Sequence, residues 1–285
     1  MKKSLVYRVI LRFSDKFPVL SMCQIFKVSR SGYYHWLKRQ GQLDKDTKLI
    51  TLITKCHQET KQTYGYRRVK IWLQQKHNIQ VNHKAILRLM HKASISAVIR
   101  RRRKYLQCCG EVHKYDNVLN RDFTAQSPNS KWVTDITYIH TTQGVLYLSA
   151  IKDLYDGFIV AYKTAASQTI HLVTETVKGA MSKEKIADGL ALHSDQGFQY
   201  TSHAYYHLTK DYGITPSMSR RGNCYDNASM ENFFGILKTE CIRRYRISSF
   251  EEARELIDAY VNFYNYERIQ LKTKLTPFEK RCQSA

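Results

Sequence analysis

The stretch WVTDITYI, residues 132–139, alternates so strictly that it reads as a β-strand. Trp132, Thr134, Ile136 and Tyr138 then share one face, and Val133, Asp135, Thr137 and Ile139 the other. Aspartate has poor β propensity and its charge resists burial, so Asp135 in mid-strand needs a compensating partner. A second aspartate poses the same problem. In HSDQGFQYTS, residues 193–202, Asp195 stands where the short apolar strand GLALHS ends. Sites in open sheets are commonly built at the carboxyl ends of neighbouring strands. If the two strands are adjacent and parallel, the two carboxylates can approach each other. Unaided, that contact raises one pKa strongly; a divalent cation that prefers hard oxygen ligands, magnesium or manganese, relieves it.

A third carboxylate is supplied by the helix ASMENFFGILKTE, residues 228–240. Met230, Phe233, Phe234 and Leu237 follow the i, i+3, i+4, i+7 pattern that faces a core, and Glu231 lies beside that face. Lys238 returns to nearly the azimuth of Glu231 and is placed to hold a DNA phosphate. Other carboxylates have simpler readings. Asp153 and Asp156 flank a turn, and Asp226 with Asn227 reads as an N-terminal cap for the Glu231 helix. His193 should face the same way as Asp195, with packing and support of the site as equal alternatives.

The rest of this half is also strand and helix. GVLYLSAIKDLYDGFIVAYKT gives two strands joined by an Asp156-Gly157 turn, followed by a helix at about 168–181. After GLALHSD come a helix from about 202 to 212, capped by Thr201 or Ser202, and a brief strand at TPSM. Ser249 and Glu252 suggest a capping box for a last long helix at about 250–264. Three strands in a meander followed by alternating helix and strand predict an α/β fold, a mixed sheet covered by helices.

The front half differs in charge and pattern. Lys and Arg number 46 against 24 Asp and Glu, a net +22. Residues 1–130 hold 27 basic and 7 acidic side chains, whereas 131–285 hold 19 and 17. Such asymmetry points to a polyanionic partner. Residues 18–39 read as a helix-turn-helix, with Leu20, Ile25 and Phe26 on the first helix, Ser29 as N-cap, and Tyr33, Trp36 and Leu37 on the second. Residues 64–92 repeat the pattern, with Val69, Trp72 and Leu73, then Ile86, Leu89 and Met90, and Asn82 as cap. Arg67, Arg68, Lys70, Lys84, Arg88 and Lys92 fall on the exposed faces and are assigned to DNA, Arg67 and Arg68 foremost. A linker follows with Arg100, Arg101, Arg102, Arg103 and Lys104 in a run that can track phosphate; a nuclear localisation signal is the rival reading. Arg220 and Arg221, in the loop before the Glu231 helix, are further DNA candidates.

The expected division is a helix-turn-helix at 1–44, a second such unit at 45–98, a basic linker at 99–127, a catalytic core at 128–240 and a C-terminal helical extension at 241–285. Seven cysteines without a C-x-x-C pair argue against a disulfide framework and the usual structural zinc spacings, and suit a reducing cytoplasm. Arg8 and Arg12 interrupt the first apolar run before a signal-peptide core forms, and no stretch reaches membrane-spanning length, so a soluble protein away from membranes is expected. A glycosidase would also use paired carboxylates, but would leave the basic front without a purpose.

Thirty-five residues separate Asp195 from Glu231. Asp135, Asp195 and Glu231 thereby resemble the D, D(35)E arrangement of transposases and retroviral-type integrases. WVTDITYI, LHSDQGFQYTS, SMSRRGNCYDNASMENFFGILKTE and YNYERIQLKTKLTPFEK resemble, in order, blocks of the two-frame bacterial insertion-sequence transposases, in their catalytic downstream frame, orfB. VSRSGYYHWLKR and YGYRRVKIWL extend the likeness to the front. The resemblance implies a ribonuclease-H-like five-stranded mixed sheet flanked by helices. It also implies two magnesium ions at Asp135, Asp195 and Glu231, manganese substituting, and cleavage and strand transfer of double-stranded DNA at element ends and target. Implied partners are the upstream-frame orfA product, separate or fused by frameshift, and further copies of the chain on DNA. Two features depart from the family: the tail ERIQLKTKLTP is looser than usual, and Asp156-Gly157 stands where a Ser-Arg pair is common. A catalytically silent DNA-binding regulator of transposition is the alternative function.

Overall fold

The computed structural model describes residues 3–40, 46–98, 115–186, 189–220 and 224–283. At the front, α1 (Lys3–Phe13), α2 (Val19–Ile25) and α3 (Arg30–Gln40) gather Val6, Tyr7, Ile10, Met22, Cys23 and Tyr33 into a small core. Ser29 caps α3 as expected, its Oγ accepting from Gly32 N at 3.1 Å. The inner face of α2 is not the expected one. Leu20, Ile25 and Phe26 are exposed, while Met22 and Cys23 are buried. A seven-residue helix has two faces of similar apolarity, and α1, which the periodicity of 18–39 could not reveal, decides between them by supplying Tyr7 and Ile10.

Three more helices follow: α4 (Thr47–Glu59), α5 (Tyr66–His77) and α6 (His83–Lys92). The inward residues of α5 and α6 are those expected, and Asn82 accepts from Lys84 N to cap α6. Their apolar faces do not close on themselves. Ile53, Val69, Trp72, Leu89 and Met90 belong to the same continuous core as Val133, Leu148, Met230 and Phe233 of the second half.

That half holds a five-stranded sheet, β1 (Lys131–Thr141), β2 (Gly144–Asp153), β3 (Ile159–Ala165), β4 (Ala191–Ser194) and β5 (Thr215–Met218), in the order β3-β2-β1-β4-β5. The first three strands form the antiparallel meander; β4 lies parallel to β1 and β5 parallel to β4. α7 (Ile170–Lys183) and α8 (His203–Asp211) cover the Trp132 face, where Val173, Val177 and Tyr205 meet Ile151 and Leu192. α9 (Ala228–Glu240) and α10 (Phe250–Tyr266) cover the Val133 face. This is the ribonuclease-H-like mixed sheet flanked by helices. Among the described residues no helix is long and apolar enough to cross a membrane.

Two local readings need correction. Ser249 Oγ accepts from Glu252 N at 3.1 Å, but the Glu252 carboxylate turns to Ser248 N and Oγ, so the capping box is only half formed. The full box lies at α11 (Pro277–Cys282), between Thr276 and Glu279. Asp153 and Asp156 do bind the turn, through Tyr155 N and Phe158 N, and Gly157 takes φ +79° there. The turn explains only half of their bonding. Both are buried, and Arg281 of α11 reaches them with Nη2 2.8 Å from Asp153 and Nε 2.7 Å from Asp156, while Nη1 meets Glu184 at 2.8 Å. A C-terminal guanidinium thus clasps the end of β2 and the end of α7.

Replacing Arg281 with Met leaves two buried carboxylates without their cation. The expected loss is about 3–5 kcal/mol of unfolding free energy in urea titrations. A loss below about 1 kcal/mol would show that the clasp is ornamental.

Candidate active site

The parallel ladder pairs Lys131 with Ala191, Trp132 with Leu192 and Val133 with His193. Continued two residues past its last pair, that register would bring Asp195 opposite Asp135, and the charge of Asp195 does act on Asp135. On its other side Asp135 faces Ala150 of β2, a side chain too small to crowd it. Beyond Ser194 the β4 strand stops, and Asp195 enters a turn where its Oδ1 accepts from Gly197 N at 2.9 Å. Asp195 is the more exposed residue of the two, though its carboxyl is partly desolvated, whereas Asp135 is half-buried with Oδ1 accepting from Ile136 N at 2.7 Å.

Glu231 sits in the first turn of α9, half-buried beside Met230, Phe233, Phe234 and Leu237, which all point to the core as expected. Burial pushes the Asp135 carboxyl well above the usual range, and the charge of Asp195 and then that of Glu231 push it further; Lys238 pulls back. Asp195 is raised by the protein packed around it, against the Gly197 N–H. Asp135 therefore feels both other carboxylates, Asp195 more strongly than Glu231. Among the described residues no group of three His, Cys, Asp or Glu side chains is drawn together tightly enough to hold a metal ion.

Several residues that fix this arrangement are not legible from spacing. Ser130 O accepts from Ala191 N, so alternate β1 carbonyls face β4. Where β4 has ended, the next but one, Thr134 O, is taken instead by Asn227 Nδ2 at 3.1 Å. Asn227 makes no helix cap, contrary to expectation, but bridges the start of α9 to the strand beside Asp135. Lys152, buried on β2, donates from Nζ to Ser229 O at 3.3 Å and so pins the same turn. Asp226 is likewise no cap. Its buried carboxylate binds Arg121 Nε, Arg220 Nε, Arg220 N and Asn117 Nδ2, and these cations hold its pKa at about 2 despite burial. His193 is packing: fully buried, it bonds Ser217 Oγ and Ser219 Oγ, and desolvation lowers its pKa to about 4.

The expected DNA-binding residues divide. Lys238 Nζ lies 4.5 Å from the centre of the exposed Tyr138 ring, beside the carboxylates. Arg67 is exposed. Arg68 is not on an open face: its Nε donates to Ile269 O at 2.8 Å and its guanidinium lies over Tyr64, because the distant C-terminal segment covers that side of α5. Arg220 is engaged by Asp226. Arg100, Arg101, Arg102, Arg103, Lys104 and Arg221 lie outside the described residues.

Family comparison finds the same two parts in the chain. Residues 125–224 match the integrase core domain, 231–284 a second model of the integrase core domain, and 44–103 the HTH-like domain. The chain is 38% identical over 279 residues to InsK of insertion sequence element IS150 from Escherichia coli, covering 97% of this chain and 98% of that protein. The chain belongs to the insertion-sequence transposases. A transposase-like protein of Haemophilus influenzae is 45% identical over 208 residues, covering 72% of this chain and 95% of its own length. The intasome of simian T-cell lymphotropic virus is similar at 16% identity and a TM-score of 0.49, over 80% of this chain and 74% of that one. As in the family, the catalytic half is an integrase core, and the HTH-like domain joined to it makes the transposase a DNA-binding protein.

The raised carboxyl of Asp135 has a measurable consequence. A carboxyl whose folded pKa is raised binds its proton more tightly in the folded state, so stability falls as pH rises through that pKa. Asp135→Asn should therefore melt higher than wild type at pH 8 in chelator, with the gain shrinking as pH falls towards 4. Equal or lower melting at pH 8 would mean that Asp135 carries no such strain.

Proposed function

We propose that this transposase cleaves DNA at the ends of its own element and transfers the freed strand to a target, using Asp135, Asp195 and Glu231 as the ligand set for two magnesium ions, with manganese able to substitute. The observation that supports the reading is the parallel pairing of β1 with β4 just before the two aspartates, which leaves Asp135 in the field of both Asp195 and Glu231. The donor chemistry fits: three carboxylates offer only hard oxygen, and the nearby His193 is spent on two serines. Such a metal pair, when bound, activates the attacking oxygen and stabilises the leaving one.

The chain's own side chains hold and orient the substrate. Asp135 is fixed by Ile136 N and by the Asn227 bridge one residue away, and Lys152 pins the first turn of α9, the turn that carries Glu231. Lys238 presents a cation beside the carboxylates, suited to a phosphate of the bound strand. Water opens the phosphodiester at the element's end, and the exposed 3′-hydroxyl attacks a second phosphodiester. The oxygen atoms exchange in line, so no covalent enzyme intermediate is required.

The proposed division of labour is a DNA-binding front at 1–44 and 45–98, a phosphate-tracking linker at 99–127, the core at 128–240 and an extension at 241–285 that ties them. Two ends must be brought together, so the working form is an oligomer on DNA, in the cytoplasm, joined by the upstream-frame product or fused to it.

Asp195→Asn should abolish magnesium-dependent nicking of end-containing DNA while mobility-shift affinity stays within about threefold. Unaltered nicking would refute the metal role, and a wild-type protein that shifts DNA without cutting it would be the silent regulator. Replacing Arg100 to Arg103 with Gln should weaken binding to any duplex and flatten the salt slope, by about 0.9 for each phosphate left unneutralised. An unchanged slope would remove the linker from the interface.

A further inference from the structure

α5 and the C-terminal segment after α10 form the walls of an open groove of about 690 Å³. Arg67, Lys70 and Gln74 come from α5, Leu271 and Lys274 from the opposite wall, and His83 from the start of α6. The walls are fastened together. Gln75 Nε2 donates to Lys274 O at 2.9 Å, and Arg68 Nε donates to Ile269 O at 2.8 Å. The Tyr64 hydroxyl donates to Glu267 O and accepts from Ile269 N. The groove is thus preformed by the fold.

Its charge is one-sided. Three cations line it and no carboxylate does. Among the described residues none of Arg67, Lys70 and Lys274 enters a salt bridge. Two placements are costly for the isolated fold. Arg67 stands in the first turn of α5, where the helix dipole disfavours a cation, and Lys274 adopts φ +63°, the left-handed region that a side chain resists. Arg67 is also preset: its guanidinium lies 5.7 Å from the Tyr66 ring centre, and His83 stacks on the same ring at 6.0 Å. α6 differs. Of its exposed cations, Arg88 and Lys92 both meet Asp46, at 3.1 and 3.8 Å.

We propose that the groove between α5 and residues 271–274 seats the sugar–phosphate backbone of a DNA strand, and that it, and not the outer face of α6, makes the main phosphate contact of this unit. The inference rests on the DNA-binding reading above, keeps Lys70 from it and adds Lys274. Uncompensated cations take the phosphates, the Gln74 and Asn78 amides can bond backbone oxygens, and exposed Leu271 offers an apolar contact to deoxyribose. The C-terminal segment then serves twice, holding α5 to the core and completing the groove.

The test uses the full chain and a mixed-sequence duplex, with affinity followed by fluorescence anisotropy across a salt series. Lys70→Gln with Lys274→Gln should lower the salt slope by about two and weaken binding at least about tenfold near 0.1 M salt, with an unchanged melting temperature. Lys84→Gln with Arg88→Gln on α6 should change the slope by less than about one. A groove pair that binds with wild-type slope, or an α6 pair with the larger effect, overturns the proposal. If that happens while Asp195-dependent nicking persists, only the groove assignment falls; a wild-type chain that neither binds nor cuts DNA defeats both readings. Should the groove pair fail to fold, Lys274→Cys cross-linking to DNA with a thiol-tethered backbone decides: capture supports the groove and absence of capture overturns it. Preferential competition by single-stranded RNA or by an acidic protein also overturns it.

Discussion

Parallel pairing of β1 with β4 is the constraint on which the rest depends. It brings two aspartates sixty positions apart in the chain near enough for the charge of Asp195 to act on Asp135, and a slip of one residue would turn Asp135 to the Trp132 face, among α7 and α8. The pairing is short, three residue pairs, and its edge is completed by a side chain, Asn227, where the ladder runs out. The whole site inherits that register. The strain it creates, two carboxylates raised by burial and Asp135 further by the charge of Asp195, is tolerable in a fold whose sheet is buried on both faces and stabilised elsewhere.

Stabilisation elsewhere comes largely from the C-terminal segment. Arg281 satisfies Asp153 and Asp156, and Arg268 pairs with Glu240 at 2.6 Å in a buried site completed by the Tyr260 hydroxyl. The same stretch bonds Tyr64 and Arg68 at the start of α5. A tail that looks like an appendage in one dimension therefore joins the helical front to the far edge of the sheet. Buried ion pairs of this kind are poor sources of net stability but severe when half removed, which suits a fastening that must be all or nothing.

Much of this was legible in the sequence because periodicity is local. The alternation of WVTDITYI assigned Val133 and Asp135 to the correct face, and the spacing of Met230, Phe233, Phe234 and Leu237 placed Glu231 at the core boundary. What stayed hidden was bonding between distant segments. No spacing rule could show that Arg68 is covered by Ile269, that Asn227 serves Thr134, or that Asp153 waits for Arg281. The mistaken face of α2 has the same origin, since seven residues do not choose a side until α1 is packed against them.

Convergence of the three carboxylates on a metal pair is probed most directly by anomalous scattering from crystals soaked in manganese. Two peaks about 3.5–4 Å apart, bounded by Asp135, Asp195 and Glu231, are expected. Manganese bound only at other carboxylates, or Glu231 found beyond about 10 Å from the two aspartates in the soaked crystal, would contradict the shared site.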